Sequence, residues 1–454
     1  MAVGVLVAGQ AVEQGDPVAQ ADLPGPALHP AHDGTSFKPA ASGGGPLLPW
    51  LWWLEEIGTG KHMQFSSRVE RLGGKGAAAW NIHFRGVAAL RAGEEVILLS
   101  VGDPDFDVAP NIANALKASL DAGDTHYADI AGNPELRASV ARYHESLTGQ
   151  KVGPENVLIV AGAQSGMFAS AQVLLGPGDA VIVPSPRYVT YEALFGAAGA
   201  EIIDVPLRPE NGFHLDPADL AAALRPNARG IVLTTPNNPT GTVMRRDEVE
   251  AVAEIARRHD LWVLTDEVYA RLAHEGPHIS PAGLPGMAER AVTVCSLSKS
   301  HAMTGFRIGW VVGPVNFIEH LTRLVLCMVY GSPPFIQAAA IEAIEGDQSA
   351  QETMAAAYKA RGRLVFERLN QSPHLKCHRP EGGMFVMVDV RPSGVSAEEF
   401  SEHLFVEEKV TALVGDAFGP EAAGHLRLSM TYDLPVLEEA CRRILKVAER
   451  HGRG

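Results

Sequence analysis

Seven short runs constrain this chain most: Val157 to Val160, Ala180 to Val183, Glu201 to Val205, Gly230 to Thr234, Leu261 to Thr265, Ala291 to Cys295 and Ile308 to Val312, all separated by helical stretches. Runs that are largely apolar without alternation must be covered on both faces. That requires a mostly parallel sheet between layers of helices, an α/β fold. In such sheets ligands bind beyond the carboxyl ends of the strands, so the residues that follow each run are the ones to read for function.

Those residues are unusually polar and small. Val157 to Val160 leads into Gly162, Ala163 and Gln164, whose small side chains let backbone N–H groups and a helix start near Met167 face an anion. The run ending at Thr265 leads into Asp266, Glu267, Val268 and Tyr269, and a carboxylate there suits a protonated pyridine nitrogen. Gly230 to Thr234 leads into Pro236, Asn237, Asn238 and Pro239; an Asn before Pro is held extended and can turn its amide to a ligand. Tyr188, after another run, can stack on a flat ring. The last string, Ser296 to Gly309, holds Lys299 at the end of an apolar run, with Ser296, Ser298 and Arg307 beside it. Desolvation makes a lysine an amine nucleophile, and serines with an arginine fork are phosphate donors. Each string has an ordinary reading: a loop lysine, a helix cap, a turn, a packed tyrosine. Together they describe a site for pyridoxal phosphate.

Charge and composition narrow the remaining classes. A net charge of −15 with no basic run opposes binding to nucleic acid or an anionic membrane, leaving a small-molecule partner. No apolar run approaches the roughly 18 residues needed to span a bilayer. The first nine residues are apolar but lack a basic start, so no signal peptide is expected and the cytoplasm is the default. Cys295, Cys327, Cys377 and Cys441 are too far apart for a metal-ligand pattern and read as buried free thiols; no metal site is expected. Residues 1–62, rich in Ala, Gly and Pro and closed by a Trp-rich cluster from Pro49 to Leu54, read as a mostly disordered extension. Met63 is then a candidate natural start, which the intact mass of the natively expressed protein would decide. A helix around Ala77 to Ala92 and a strand from Val96 to Ser100 precede the turn at Gly102 to Phe106.

On these strings, with His126 and Tyr127 through Arg137 and with Arg427, Leu428 and Ser429, residues 63 to about 450 resemble the class I and II aminotransferases of pyridoxal-phosphate fold type I. The resemblance implies a large domain at 109–330 with a seven-stranded sheet. It also implies a smaller α+β domain from both chain ends, 63–108 and 331–454. It makes Lys299 the Schiff-base lysine that moves a proton between the substrate Cα and the cofactor C4′. Asp266 would hold the ring nitrogen, Tyr269 and Asn238 the phenolic oxygen, and Tyr188 would stack. Gly162, Ala163, Gln164, Ser296, Ser298 and Arg307 would grip the phosphate, with Tyr127 reaching over from a second subunit of a homodimer. Arg427 would clamp the substrate carboxylate, assisted by Asn238 and Gly102. Ala163 departs from the glycine or hydroxyl residue frequent in the family.

Less generic strings, Gly76 to His83, Ser296 to Met303, Leu326 to Pro333 and Gly382 to Asp389, are most similar to bacterial arginine:pyruvate transaminases. This implies a ping-pong cycle in which an amino acid leaves its nitrogen on the cofactor and a 2-oxo acid such as pyruvate collects it. Asp103 and Asp105 lie where a guanidinium partner would be sought, but the family's turn is acidic whatever the substrate. Transamination of aromatic, aliphatic or acidic amino acids, a lyase on the same fold, and a non-catalytic sensor are the competing expectations.

Overall fold

The computed structural model describes residues 64–72 and 75–452; the extension 1–62, its Trp-rich cluster and Met63 lie outside the described residues. All seven runs are strands of one sheet, in the order Val157–Val160, Gly309–Val312, Ala291–Ser296, Trp262–Asp266, Ala228–Thr234, Ala180–Ser185, Glu201–Pro206. Neighbours are parallel except Gly309–Val312, which runs antiparallel to both strands beside it.

Burial follows position in the sheet. Every residue of Val157–Val160, Ala291–Ser296 and Gly309–Val312 is buried. Side chains two apart share a face: Leu158, Val160, Val292, Val294 and Val311 pack with Met167, Phe195 and Leu321 of helices Ala163–Leu174, Tyr191–Ala198 and Val315–Val329. On the opposite face, Val157, Ile159, Trp310 and Val312 pack with Leu136, Val140 and Ala340 of helices Pro134–Thr148 and Pro334–Glu345. The edge strand Glu201–Pro206 instead exposes Glu201 and Asp204, which is why it is the run that carries charge.

A second, antiparallel sheet has the order Leu413–Val414, His425–Ser429, Phe385–Asp389, Lys376–Cys377, and Ile97–Leu98 pairs in parallel with Val410–Thr411. The strand expected from Val96 to Ser100 is therefore only two residues long in its ladder. Leu99 N still donates to Thr411 O at 3.0 Å, but the carbonyls of Leu99 and Ser100 turn away and accept from Ser429 N at 2.8 Å and Arg427 Nη2 at 2.6 Å. Likewise, the helix expected from Ala77 begins as α-helix at Asn81, after a 3-10 segment Lys75–Trp80. The helix expected near Met167 starts earlier, at Ala163, because Gly162 turns the chain at φ +82°. Of the thiols, Cys295, Cys377 and Cys441 are buried and free, whereas Cys327 is exposed on the Val315–Val329 helix. No helix among the described residues is long and apolar enough to cross a membrane.

Candidate active site

The sheet register brings the polar strings to one edge. Thr234 lies opposite Asp266, and Asp266 opposite Val294, so these parallel strands end together. Gly309 lies opposite both Val160 and Ser296. Because its strand is antiparallel, it starts where its neighbours finish, and Arg307 just ahead of it reaches the start of the Ala163–Leu174 helix, with Nη2 donating to Ala161 O at 3.4 Å. A cavity of about 370 Å³ opens there, lined among others by Gly102, Ala163, Gln164, Tyr188, Asn238 and Asp266. Tyr269, Ser296, Ser298, Lys299, Arg307 and Arg427 also line it; of the expected set, Gly162 and Tyr127 do not.

One end of this cavity is built for an anion. The Ala163–Leu174 helix presents its first N–H groups there, its N-cap Gly162 contributing no side chain. A Cβ on Gly162 would sit 2.5 Å from Arg307 Nη2, so the glycine leaves the space the guanidinium occupies. Arg307 is held in left-handed backbone (φ +53°), with Nη1 donating to Thr304 O at 2.7 Å. Ser296 and Ser298 are buried beside it.

Further in, two groups are electrostatically unusual. Burial pushes the Asp266 carboxyl up from 3.8 to about 6, although it accepts from Tyr191 Oη at 3.0 Å and Val268 N at 3.3 Å. Burial likewise pushes the Lys299 amine down to about 8; Asp103 opposes that shift, and Arg427 and Arg307 add to it. Lys299 Nζ donates to the Gly102 carbonyl. Among the described residues no cationic side chain bonds Asp266, so its carboxylate suits a ring N–H.

The second sheet supplies the remaining wall. Arg427, in the strand His425–Ser429, is 1% exposed, and burial lowers its guanidinium to about 10. It lies 4.3 Å from the Phe385 ring centre and 5.0 Å from that of Phe418. Nη1 donates to Asn238 Oδ1 at 3.2 Å, while the buried Nε has no partner. An orphaned buried donor on a cation calls for an anionic acceptor. Asn238 also hydrogen-bonds the Tyr269 phenol, whose titration burial pushes far up. Its neighbour Asn237 instead closes the turn, accepting from Thr240 N and Oγ1. At Gly102 an added Cβ would lie 2.3 Å from Phe385 Cζ, so only glycine lets the backbone reach the cavity.

Tyr127 is not brought to the cavity. It is 84% exposed, its ring 4.7 Å from that of the half-exposed Tyr330. Conversely, Trp80, Thr234, Thr304 and Phe385 line the cavity without having been singled out. Tyr191 escaped notice as Asp266's partner; its spacing of one helical turn from Tyr188 was the available signal. Away from the cavity, His403, Glu407 and His451 cluster, but Arg450 already pairs with Glu407.

An amine, a buried carboxylate without a cationic partner, an anion cradle and a buried guanidinium with an unpaired donor around one cavity fit pyridoxal phosphate and a substrate carboxylate. Residues 94–444 match the family described as aminotransferase class I and II. The chain is 52% identical over 382 residues to the arginine–pyruvate transaminase of Pseudomonas aeruginosa, covering 84% of this chain and 97% of that one. It is 37% identical to an aspartate aminotransferase of Pyrococcus horikoshii, covering 78% of this chain and 91% of the relative. Among solved structures, aspartate aminotransferase from Thermus thermophilus with maleate superposes with a TM-score of 0.80 at 33% identity, over 85% of this chain and 100% of the other. The chain belongs to the class I and II aminotransferases, pyridoxal-phosphate-dependent enzymes of fold type I that transfer an amino group to a 2-oxo acid.

Proposed function

We propose that this enzyme transfers the amino group of L-arginine to pyruvate by a ping-pong cycle, working in the cytoplasm as a homodimer with shared active sites. The observation that carries the reaction is the convergence of Lys299, Asp266 and Arg427 on one cavity. The choice of donor and acceptor is supported by the 52% identity to the Pseudomonas enzyme. We extend the reading to two domains, 109–330 and the flanking segments, with small molecules rather than nucleic acid or membrane as partners.

Pyridoxal phosphate, when bound, supplies the electron sink that acidifies the substrate Cα–H bond. Asp266 would hold its ring nitrogen, Tyr269 and Asn238 its phenolic oxygen, and Tyr188 its ring face. Gly162, Ala163, Gln164, Ser296, Ser298 and Arg307 would hold the phosphate, with Tyr127 supplied by the second subunit. Arg427 takes the α-carboxylate with Asn238 and the Gly102 backbone, and so fixes where Cα sits. Lys299 would move the proton between the substrate Cα and the cofactor C4′. Burial favours the neutral amine, the form that can accept that proton.

The test offers each L-amino acid with pyruvate and measures alanine. Arginine should give the highest kcat/KM. Alanine formed from an aromatic, aliphatic or acidic donor but not from arginine overturns the donor assignment, and a product released without pyruvate points to the lyase.

A further inference from the structure

The charged groups that line the cavity do not all have a task. Among the described residues they are Asp103, Asp266, Lys299, Arg307 and Arg427. Arg427 lies deepest, wedged between Phe385 and Phe418 and bonded to Asn238. Arg307 faces the helix start at Gly162, and Lys299 is the amine. No cavity cation of this chain is left for a side-chain carboxylate.

Asp103 is the opposite case. It is exposed at the cavity, and neither an ion pair nor a hydrogen bond engages its carboxylate among the described residues. Asp105, two residues along the same loop, is neutralised by Arg361, whose Nη1 and Nη2 lie 2.7 and 2.8 Å from its oxygens. The loop thus spends one carboxylate on the fold and presents the other to the cavity. Trp80 lines the same cavity, half-buried and seated edge-on against His83 at 5.6 Å. A carboxylate and an indole face are the two groups that recognise a planar cation: the first by a forked charge-assisted pair, the second by cation–π stacking.

We infer that Asp103 and Trp80 form the specificity site for a guanidinium side chain, Asp103 pairing with it and Trp80 stacking on it. This rests on the reading of arginine as donor. A substrate held deep by Arg427 at its carboxylate extends its side chain toward the exposed loop, where the two groups wait.

The experiment compares wild type with Asp103→Asn on arginine and on citrulline, which replaces the guanidinium by a neutral urea. The arginine-to-citrulline ratio of kcat/KM should fall roughly tenfold to a hundredfold, the range of a charge-assisted hydrogen bond. Binding of δ-guanidinovalerate, which has no amine to transfer, should weaken by a similar factor in calorimetry, while δ-ureidovalerate binds both proteins alike. Trp80→Leu should lower the same ratio severalfold, with Trp80→Phe restoring part of it. If both substrates lose activity together in Asp103→Asn, the residue acts through Lys299 and the inference is overturned. A wild-type enzyme active on arginine whose ratio does not change overturns the inference alone; a wild-type enzyme inert toward arginine overturns the donor assignment and this inference with it.

Discussion

Replacing Arg427 by Lys tests the clamp while keeping its charge. The guanidinium uses Nη2 on Ser100 O at 2.6 Å and Nη1 on Asn238 at 3.2 Å, leaving Nε without a partner. A lysine ammonium is a point donor on a narrower stem, so it cannot bond Ser100 and also face a carboxylate with a planar fork. The loss is at least one charge-assisted hydrogen bond, about 1.5–3 kcal/mol, or roughly 10- to 150-fold in binding. In a ping-pong cycle the amino acid and the 2-oxo acid present their carboxylates to the same residue in turn. kcat/KM should therefore fall by a similar factor for both substrates, measured by varying each at several fixed concentrations of the other. A drop confined to one of the two, or unchanged KM values for both, would refute the clamp. Melting temperature should be followed alongside, since Arg427 packs between two aromatic rings.

Lys299→Ala should abolish turnover while pyridoxal phosphate still binds noncovalently, and turnover at the wild-type rate would remove Lys299 from its role. In the cofactor-free protein an amine near 8 is about half neutral at pH 8, against well under ~1% for an ordinary lysine; a peptide map after brief acylation should show Lys299 labelled first, and uniform labelling contradicts this. The Asp266 carboxyl, raised to about 6 in the fold, binds a proton more tightly folded than unfolded, so apo stability declines as pH rises from about 3.8 to about 6. At pH 7 the penalty is about 3 kcal/mol, and Asp266→Asn should raise the apo melting temperature while depressing activity; an unchanged or lower melting temperature counts against it. Gly162→Ala places a Cβ 2.5 Å from Arg307 Nη2 at φ +82°, so cofactor affinity should fall at least about tenfold, with strain of about 1 kcal/mol in the fold. Titration of the apo variant with pyridoxal phosphate reads this out, and wild-type affinity would dismiss the cradle.

The sheet was legible because burial on both faces leaves a mark in composition: a strand with no solvent side needs apolar residues at successive positions, and only the edge run Glu201–Pro206, with Glu201 and Asp204 exposed, breaks the pattern with acidic residues. Gly162 was legible as a small residue after a strand, where backbone N–H groups can face an anion; its φ of +82° came only with the structure. Helix starts were misplaced by up to a few residues because small residues such as Ala163 and Gln164 are compatible with both turn and helix. Tyr191 and Trp80 were not legible as site residues, because an aromatic at helical spacing looks the same whether it packs in a core or lines a cavity. Tyr127 remains outside the cavity in the single chain.

What the sequence determined alone is therefore the local part: strands, the turns at their ends, and the chemical types carried there. What only the tertiary structure decided is which charges are satisfied. Asp103 and Asp105 are the same residue type two positions apart in one loop. Arg361, more than two hundred residues away, folds onto the second and not the first. Pairing across such separations depends on how the two sheets pack, a long-range property that no local pattern encodes, and it is this pairing that leaves one carboxylate free to face the cavity.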